Sequence, residues 1–97
     1  RVVFAVAILG NEPRPALLAG ARWDVPDKKF AERFHRGTAE KDLLNWLSAN
    51  QFQIANTRQA YRRVGGIPCA EAIDVSWAAQ DGRLTQANAV VREGGCL

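Results

Sequence analysis

The stretch around Asp81-Gly82 constrains the fold of this chain more than any other part of the sequence. Ile73 to Ala79 has apolar residues at every second position, which is the pattern of a half-buried β-strand. Asp81-Gly82 is a dipeptide typical of tight hairpin turns, and Leu84 to Val91 can return antiparallel to the first strand. The sequence therefore predicts a β-hairpin near its C-terminus.

The two cysteines lie on either side of this hairpin, at Cys69 and Cys96. A disulfide between them would join the start of the first strand to the end of the second, which an antiparallel hairpin brings together. Paired cysteines in a small domain are typical of an oxidising compartment, and the bond would stabilise the fold by roughly 3 to 4 kcal/mol. The alternative is two free, buried thiols in a cytosolic protein. The spacing matches no zinc motif, so we expect no metal and no cofactor.

The residues before Cys69 predict further strands. Phe52 and Ile54 begin one strand, Asn56-Thr57 form a turn or bulge, and Gln59 to Val64 alternate in a second strand. Gly65-Gly66 then permit a sharp reversal of the chain. Together with the hairpin, these segments give an antiparallel sheet of three or four strands.

Two helices are predicted before the strands. In the first, from Trp23 to Phe34, Asp24 is the expected N-cap and Pro26 lies in the first turn. Trp23, Phe30 and Phe34 recur at helical spacing, so we expect them to form an aromatic stripe in the core.

The second helix runs from Thr38, the expected N-cap, to about Ala49. Trp46 falls away from the middle of its apolar face, so we expect it to be partly buried, and an exposed Trp46 would be an anchor for a partner. The apolar face itself consists of three leucines: Leu43, Leu44 and Leu47.

The 97 residues form one domain with three parts. Residues 1–22 hold an apolar segment and a Pro-rich turn, residues 23–51 the helices, and residues 52–97 the antiparallel strands. The predicted class is α+β, with N-terminal helices packed on the sheet as two layers and one disulfide. Val2 to Leu9 is too short to cross a bilayer, and is either a core helix or strand, or the end of a membrane anchor that begins before Arg1.

One basic strand is a candidate interaction surface. The net charge of +3 permits an anionic partner without requiring one. Arg58, Arg62 and Arg63 surround Tyr61, which suits either nucleic acid or acidic side chains of a protein. The strand pleat separates Tyr61 and Arg63 from the other two arginines, which argues against nucleic acid.

Catalysis has little support in the sequence. A small hydrolase could use only His35, paired either with Cys69 or with one of the two serines, Ser48 and Ser76. Neither serine lies in a nucleophile motif. Glu71, Asp74 and Asp81 are expected to be exposed, solubilising charges.

Several features together resemble small bacterial envelope domains of the SmpA/OmlA lipoprotein type and β-lactamase-inhibitor-like modules. They are Phe34-His35-Arg36-Gly37-Thr38, the helix ending near Phe52, the Ile73–Trp77 strand, Asp81-Gly82 and Cys96-Leu97. The resemblance spans about residues 34 to 97. It implies a periplasmic or membrane-tethered binding or scaffolding module without catalysis.

The leading hypothesis is thus a non-enzymatic domain, in the periplasm or on the outer face of a bacterial membrane, that binds another envelope protein. Attachment to a membrane is expected only through a segment upstream of Arg1. The candidate partner-binding residues are Trp46, Arg58, Tyr61, Arg62 and Arg63.

Overall fold

A computed structural model describes residues 13–66 and 68–96 of the chain. A 3-10 turn at Ala16–Leu18 is followed by two helices and four strands: α1 (Lys28–Arg33), α2 (Glu40–Ala49), β1 (Gln53–Ala55), β2 (Gln59–Val64), β3 (Cys69–Gln80) and β4 (Arg83–Cys96). The strands form one antiparallel sheet in the order β1-β2-β3-β4. The mixed α+β class and the antiparallel sheet are confirmed. The predictions for Val2 to Leu9 lie outside the described residues.

The predicted hairpin is confirmed and is longer than the sequence pattern indicated. β3 and β4 pair from Gln80–Arg83 beside the turn to Cys69–Cys96 at the far end, where the two cysteines are register partners and form the predicted disulfide. Asp81 has φ 54° and Gly82 has φ 78°, the left-handed conformation that a two-residue hairpin turn of the favoured twist needs at both positions.

Helix α1 begins later than predicted because the preceding segment pairs with the outer edge of β4. The Asp24 N–H donates to the Val91 carbonyl (2.8 Å) and the Asp27 N–H donates to the Ala89 carbonyl (2.9 Å). The N-cap is therefore Asp27, whose carboxylate accepts the Phe30 N–H at 2.9 Å, and the prediction of Asp24 was wrong.

Trp23 is also displaced from its predicted place. It precedes α1 in the segment that bridges to β4, and 39% of its surface is exposed. The expectation that it would stack with Phe30 and Phe34 in the core was therefore wrong, because a strand-like segment does not continue the helical spacing. Those two rings do pack together, with centroids 5.0 Å apart.

The start of α2 is held by the hairpin turn rather than by a side chain. Its N-cap is Ala39, so the prediction of Thr38 was wrong. The Glu40 N–H donates to the Gly82 carbonyl (2.9 Å), and the Leu84 N–H donates to the Thr38 carbonyl (2.7 Å). Backbone groups of the turn thus satisfy a helix-end donor that a Thr38 hydroxyl was expected to bind.

One hydrophobic cluster joins side chains of both helices to one side of the sheet. The fully buried members include Phe30, Phe34, Leu43, Leu47, Ile73, Val75, Leu84, Ala89 and Val91. Trp46 is half-buried, as expected, with its ring edge-on to Phe30 and Phe34 at centroid distances of 5.5 and 5.6 Å. Burial of this apolar surface is the main favourable term in the stability of the fold.

Reduction of the disulfide should lower the free energy of unfolding by up to roughly 3 to 4 kcal/mol, because the bond closes a long loop in the unfolded chain. The bond joins residues 27 positions apart in the sequence. Urea unfolding with and without reductant measures the loss. The double variant Cys69→Ser with Cys96→Ser is the control, because reductant should leave its unfolding midpoint unchanged.

The substitution Gly94→Ala should destabilise the domain by about 1 to 3 kcal/mol, the usual range for an overpacked site. A Cβ at this position would lie 2.8 Å from the Glu71 carbonyl carbon and 2.9 Å from its oxygen, closer than a side chain can approach a backbone. Gly20→Ala is the matched control, because a Cβ there meets nothing within 4 Å. Equal thermal midpoints for the two variants would contradict the prediction.

Candidate binding face

The side of the sheet opposite the core carries mainly polar side chains, because strand residues alternate between the two faces. Strand pairing arranges them in rows across the sheet. One row consists of Gln53, Tyr61, Asp74 and Val90, and the next consists of Ala55, Gln59, Ser76 and Asn88. We call this surface, with Arg63 and Arg92 at one end, the open face.

A groove of about 520 Å³ crosses the open face and is open to solvent. Its polar lining comes from Gln53, Gln59, Tyr61, Asp74 and Ser76. These amide, hydroxyl and carboxylate groups can both donate and accept hydrogen bonds. The groove can therefore hold a polar ligand or an extended polypeptide segment.

The groove continues into a smaller cavity of about 250 Å³ beyond the end of β1. Gln53 and Tyr61 line both the groove and this cavity, so the groove and the cavity adjoin on the surface. The other described residues that line the smaller cavity are Gln51, Arg62 and Arg63, none of which is acidic. Arg63 therefore makes this end of the open face basic.

The predicted basic strand is divided between the two faces, as its pleat indicated. Tyr61 lies on the open face with 37% of its surface exposed, and Arg63 lies on the same face. Arg62 points to the other side, where it donates to the carbonyls of Asn50 (3.0 Å) and Pro13 (3.3 Å). The partner-binding role of Tyr61 and Arg63 stays a prediction, while Arg62 holds together segments of its own chain.

Arg58 belongs to a cluster of hydrogen bonds around Glu40. Its guanidinium binds the Glu40 carboxylate at 2.7 Å, and the same carboxylate accepts the Trp77 indole N–H at 2.7 Å. The hydrogen bond from Arg58 and then that from Trp77 lower the pKa of Glu40 below its ordinary value. The cluster ties the first turn of α2 to β3 and to the turn before β2.

A second cluster of the same composition surrounds Glu71. Its carboxylate accepts two bonds from Arg14 (2.8 and 2.7 Å) and one from the Trp23 indole N–H (2.6 Å). The Arg14 bonds are the main cause that lowers the pKa of Glu71. The expectation that Glu71 is an exposed, solubilising charge was wrong, because its pairing with Val64 places it on the core side, half-buried.

The residues considered for catalysis are not brought together. His35 is exposed, with Nδ1 2.9 Å from the Arg36 carbonyl oxygen, and Cys69 is in the disulfide, so a Cys–His nucleophile pair is not formed. Within residues 13–66 and 68–96, no group of three or more His, Cys, Asp or Glu side chains could hold a metal ion. No helix in the same residues has the length and apolar character to cross a membrane.

Sequence reasoning missed the polar residues of the groove. Gln59 and Ser76 each looked like ordinary solvent-facing positions in separate strands, but the structure makes them register partners. The alternation of apolar and polar residues along each strand indicated which residues face solvent. The register between β2 and β3 had no comparable signal, because the Gly65-Gly66 pair permits a reversal without fixing which residues face each other.

The chain matches no protein-family model, no curated protein and no solved structure. The resemblance to SmpA/OmlA-type envelope domains therefore stays a prediction. Inferences about function rest on the groove and on the charges of the open face.

Stability should fall as the pH drops below about 4.3, the ordinary pKa of a Glu side chain. The pKa values of Glu40 and Glu71 are lowered in the folded state, so their contribution is fully present above the unfolded value of about 4.3 and is lost as the pH falls through the folded values. Urea midpoints between pH 6 and pH 3 measure the loss. The variant Glu40→Gln with Glu71→Gln should start less stable and show a flatter pH profile, and an unchanged slope would contradict this assignment.

Proposed function

We propose that this domain binds another protein of the bacterial envelope through its open face and catalyses no reaction. The observation that carries the proposal is the groove across the open face, which is lined by both apolar residues and hydrogen-bonding side chains, with Tyr61 among them. Tyrosine is enriched in protein interfaces because it combines a large apolar surface with a polar group. The oxidised cysteines support an oxidising location, and we place the domain in the periplasm or on the outer face of a bacterial membrane.

We infer that α1 and α2 form a second layer on the opposite side of the sheet. Phe30 and Leu43 share one buried cluster with Ile73 and Val91, which supports this arrangement. Since that side is occupied by the core, a partner has access to the open face.

The two other hypotheses have less support. Nucleic-acid binding was predicted to use Arg58 and Arg62 with Tyr61, but both guanidiniums are bonded within the chain. A hydrolase was predicted to use His35, which is exposed at a helix junction away from the lining of the groove. These two observations favour protein binding over both alternatives.

Photo-crosslinking tests the proposal. With p-benzoylphenylalanine in place of Tyr61, we expect a covalent adduct with an envelope protein after irradiation in a bacterial envelope extract. The same amino acid in place of Lys41, an exposed residue of α2, is the control and should give no such adduct. Adducts of equal yield at both positions, or none at position 61, would contradict binding through the open face.

A further inference from the structure

The open face has one basic group, the Arg63 guanidinium, that pairs with no other described residue. Among residues 13–66 and 68–96, the Arg63 side chain forms no hydrogen bond or ion pair, although Arg58 binds Glu40 and Arg92 binds Asp74. We infer that the partner's bound segment is acidic and that Arg63 forms an ion pair with one of its carboxylates. This inference rests on the proposed function.

The surroundings of Arg63 leave its guanidinium accessible. In the sheet, Arg63 is paired with Ala72, which in turn is paired with Arg92, so a residue with a small side chain separates the two arginines. The Arg63 Nη2 atom reaches toward β4, 3.4 Å from the position where Gly95 would carry a Cβ. The planar, forked guanidinium thus extends over positions with little or no side chain, where a carboxylate can bind it by two parallel hydrogen bonds.

The charges of this surface favour a negatively charged segment. On this surface Arg92 is paired with Asp74, and Asp24 also lies near the Arg92 guanidinium. Among the described residues no acidic side chain pairs with Arg63, so the positive charge of Arg63 is not neutralised. A carboxylate that approaches this end is attracted to Arg63. Because Arg63 is exposed, salt screens this attraction.

The position of Arg63 relative to the groove explains why a segment, rather than a free anion, is the ligand. Arg63 lines the small cavity that adjoins the groove, and Tyr61 lines both. A polypeptide in the groove can hydrogen-bond with Gln59 and Ser76 while one of its acidic side chains reaches Arg63. The polar groups then position the segment, and the ion pair selects for negative charge.

The probe for this inference is a blocked eight-residue peptide of alternating Thr and Glu. Titration into 15N-labelled protein should shift the backbone amide signals of Tyr61, Arg63 and Ser76. The matched peptide with Gln in place of every Glu should bind about tenfold more weakly. Arg63→Gln should weaken binding of the acidic peptide about five- to tenfold, which corresponds to about one charge-assisted contact at a partly exposed site. Raising the salt concentration should weaken it as well.

Arg22→Gln is the control variant, because Arg22 is exposed and forms no hydrogen bond among the described residues. It should bind the acidic peptide like the unaltered chain. The inference is overturned if the Gln peptide binds equally well, if Arg63→Gln has no effect, or if the shifts map away from the open face. Glutarate that binds as tightly as the peptide would also overturn it, since a free anion would then suffice.

Photo-crosslinking from position 61 separates this inference from the proposed function. If the adduct with the envelope protein forms in full yield when Arg63→Gln is also present, the acidic segment is excluded while binding through the open face stands. If the adduct is lost with Arg63→Gln and retained with Arg22→Gln, both are supported. Absence of an adduct from position 61 when Arg63 is left in place contradicts the proposed function, even if the acidic peptide binds Arg63.

Discussion

The backbone pairing of β4 is the interaction on which the rest of the structure depends. On one side β4 pairs with β3 along the whole hairpin, and the disulfide links the far ends. On its other side, the carbonyls of Val91 and Ala89 accept the N–H groups of Asp24 and Asp27 ahead of α1. The turn before β4 provides the Gly82 carbonyl for the first N–H of α2. The starting points of both helices are therefore set by groups of the hairpin.

This pairing also protects the sheet. An uncovered strand edge presents unpaired backbone groups that can pair with another chain, and natural proteins cover or shorten such edges. Here the outer edge of β4 is contacted by the segments before both helices, and the opposite edge is β1, which has only three residues. The edge formed by β1 is exposed but short, so the larger accessible part of the sheet is its open face.

The clusters around Glu71 and Glu40 bind the N-terminal half of the chain to the sheet. Glu71, in β3, binds Arg14 and Trp23. Glu40, in α2, binds Arg58 and Trp77. Each carboxylate is half-buried, so its bonds to a cation and to an indole N–H offset the cost of its removal from water. Arg14 pairs within the fold, whereas Arg63 pairs with no acidic side chain among the described residues and stays available on the open face.

Features that depend on neighbouring residues could be predicted from the sequence: the alternation of Ile73 to Ala79, the turn at Asp81-Gly82, and the cysteine pair that this hairpin brings together. The helix starts could not, because backbone carbonyls of β4 and its turn bind the N–H groups that the local caps at Asp24 and Thr38 were expected to organise. The tertiary structure also decided which charged side chains of the described residues pair with one another. Whether an arginine pairs within the chain depends on distant partners, and a register set by long-range strand pairing has no signal in the local sequence.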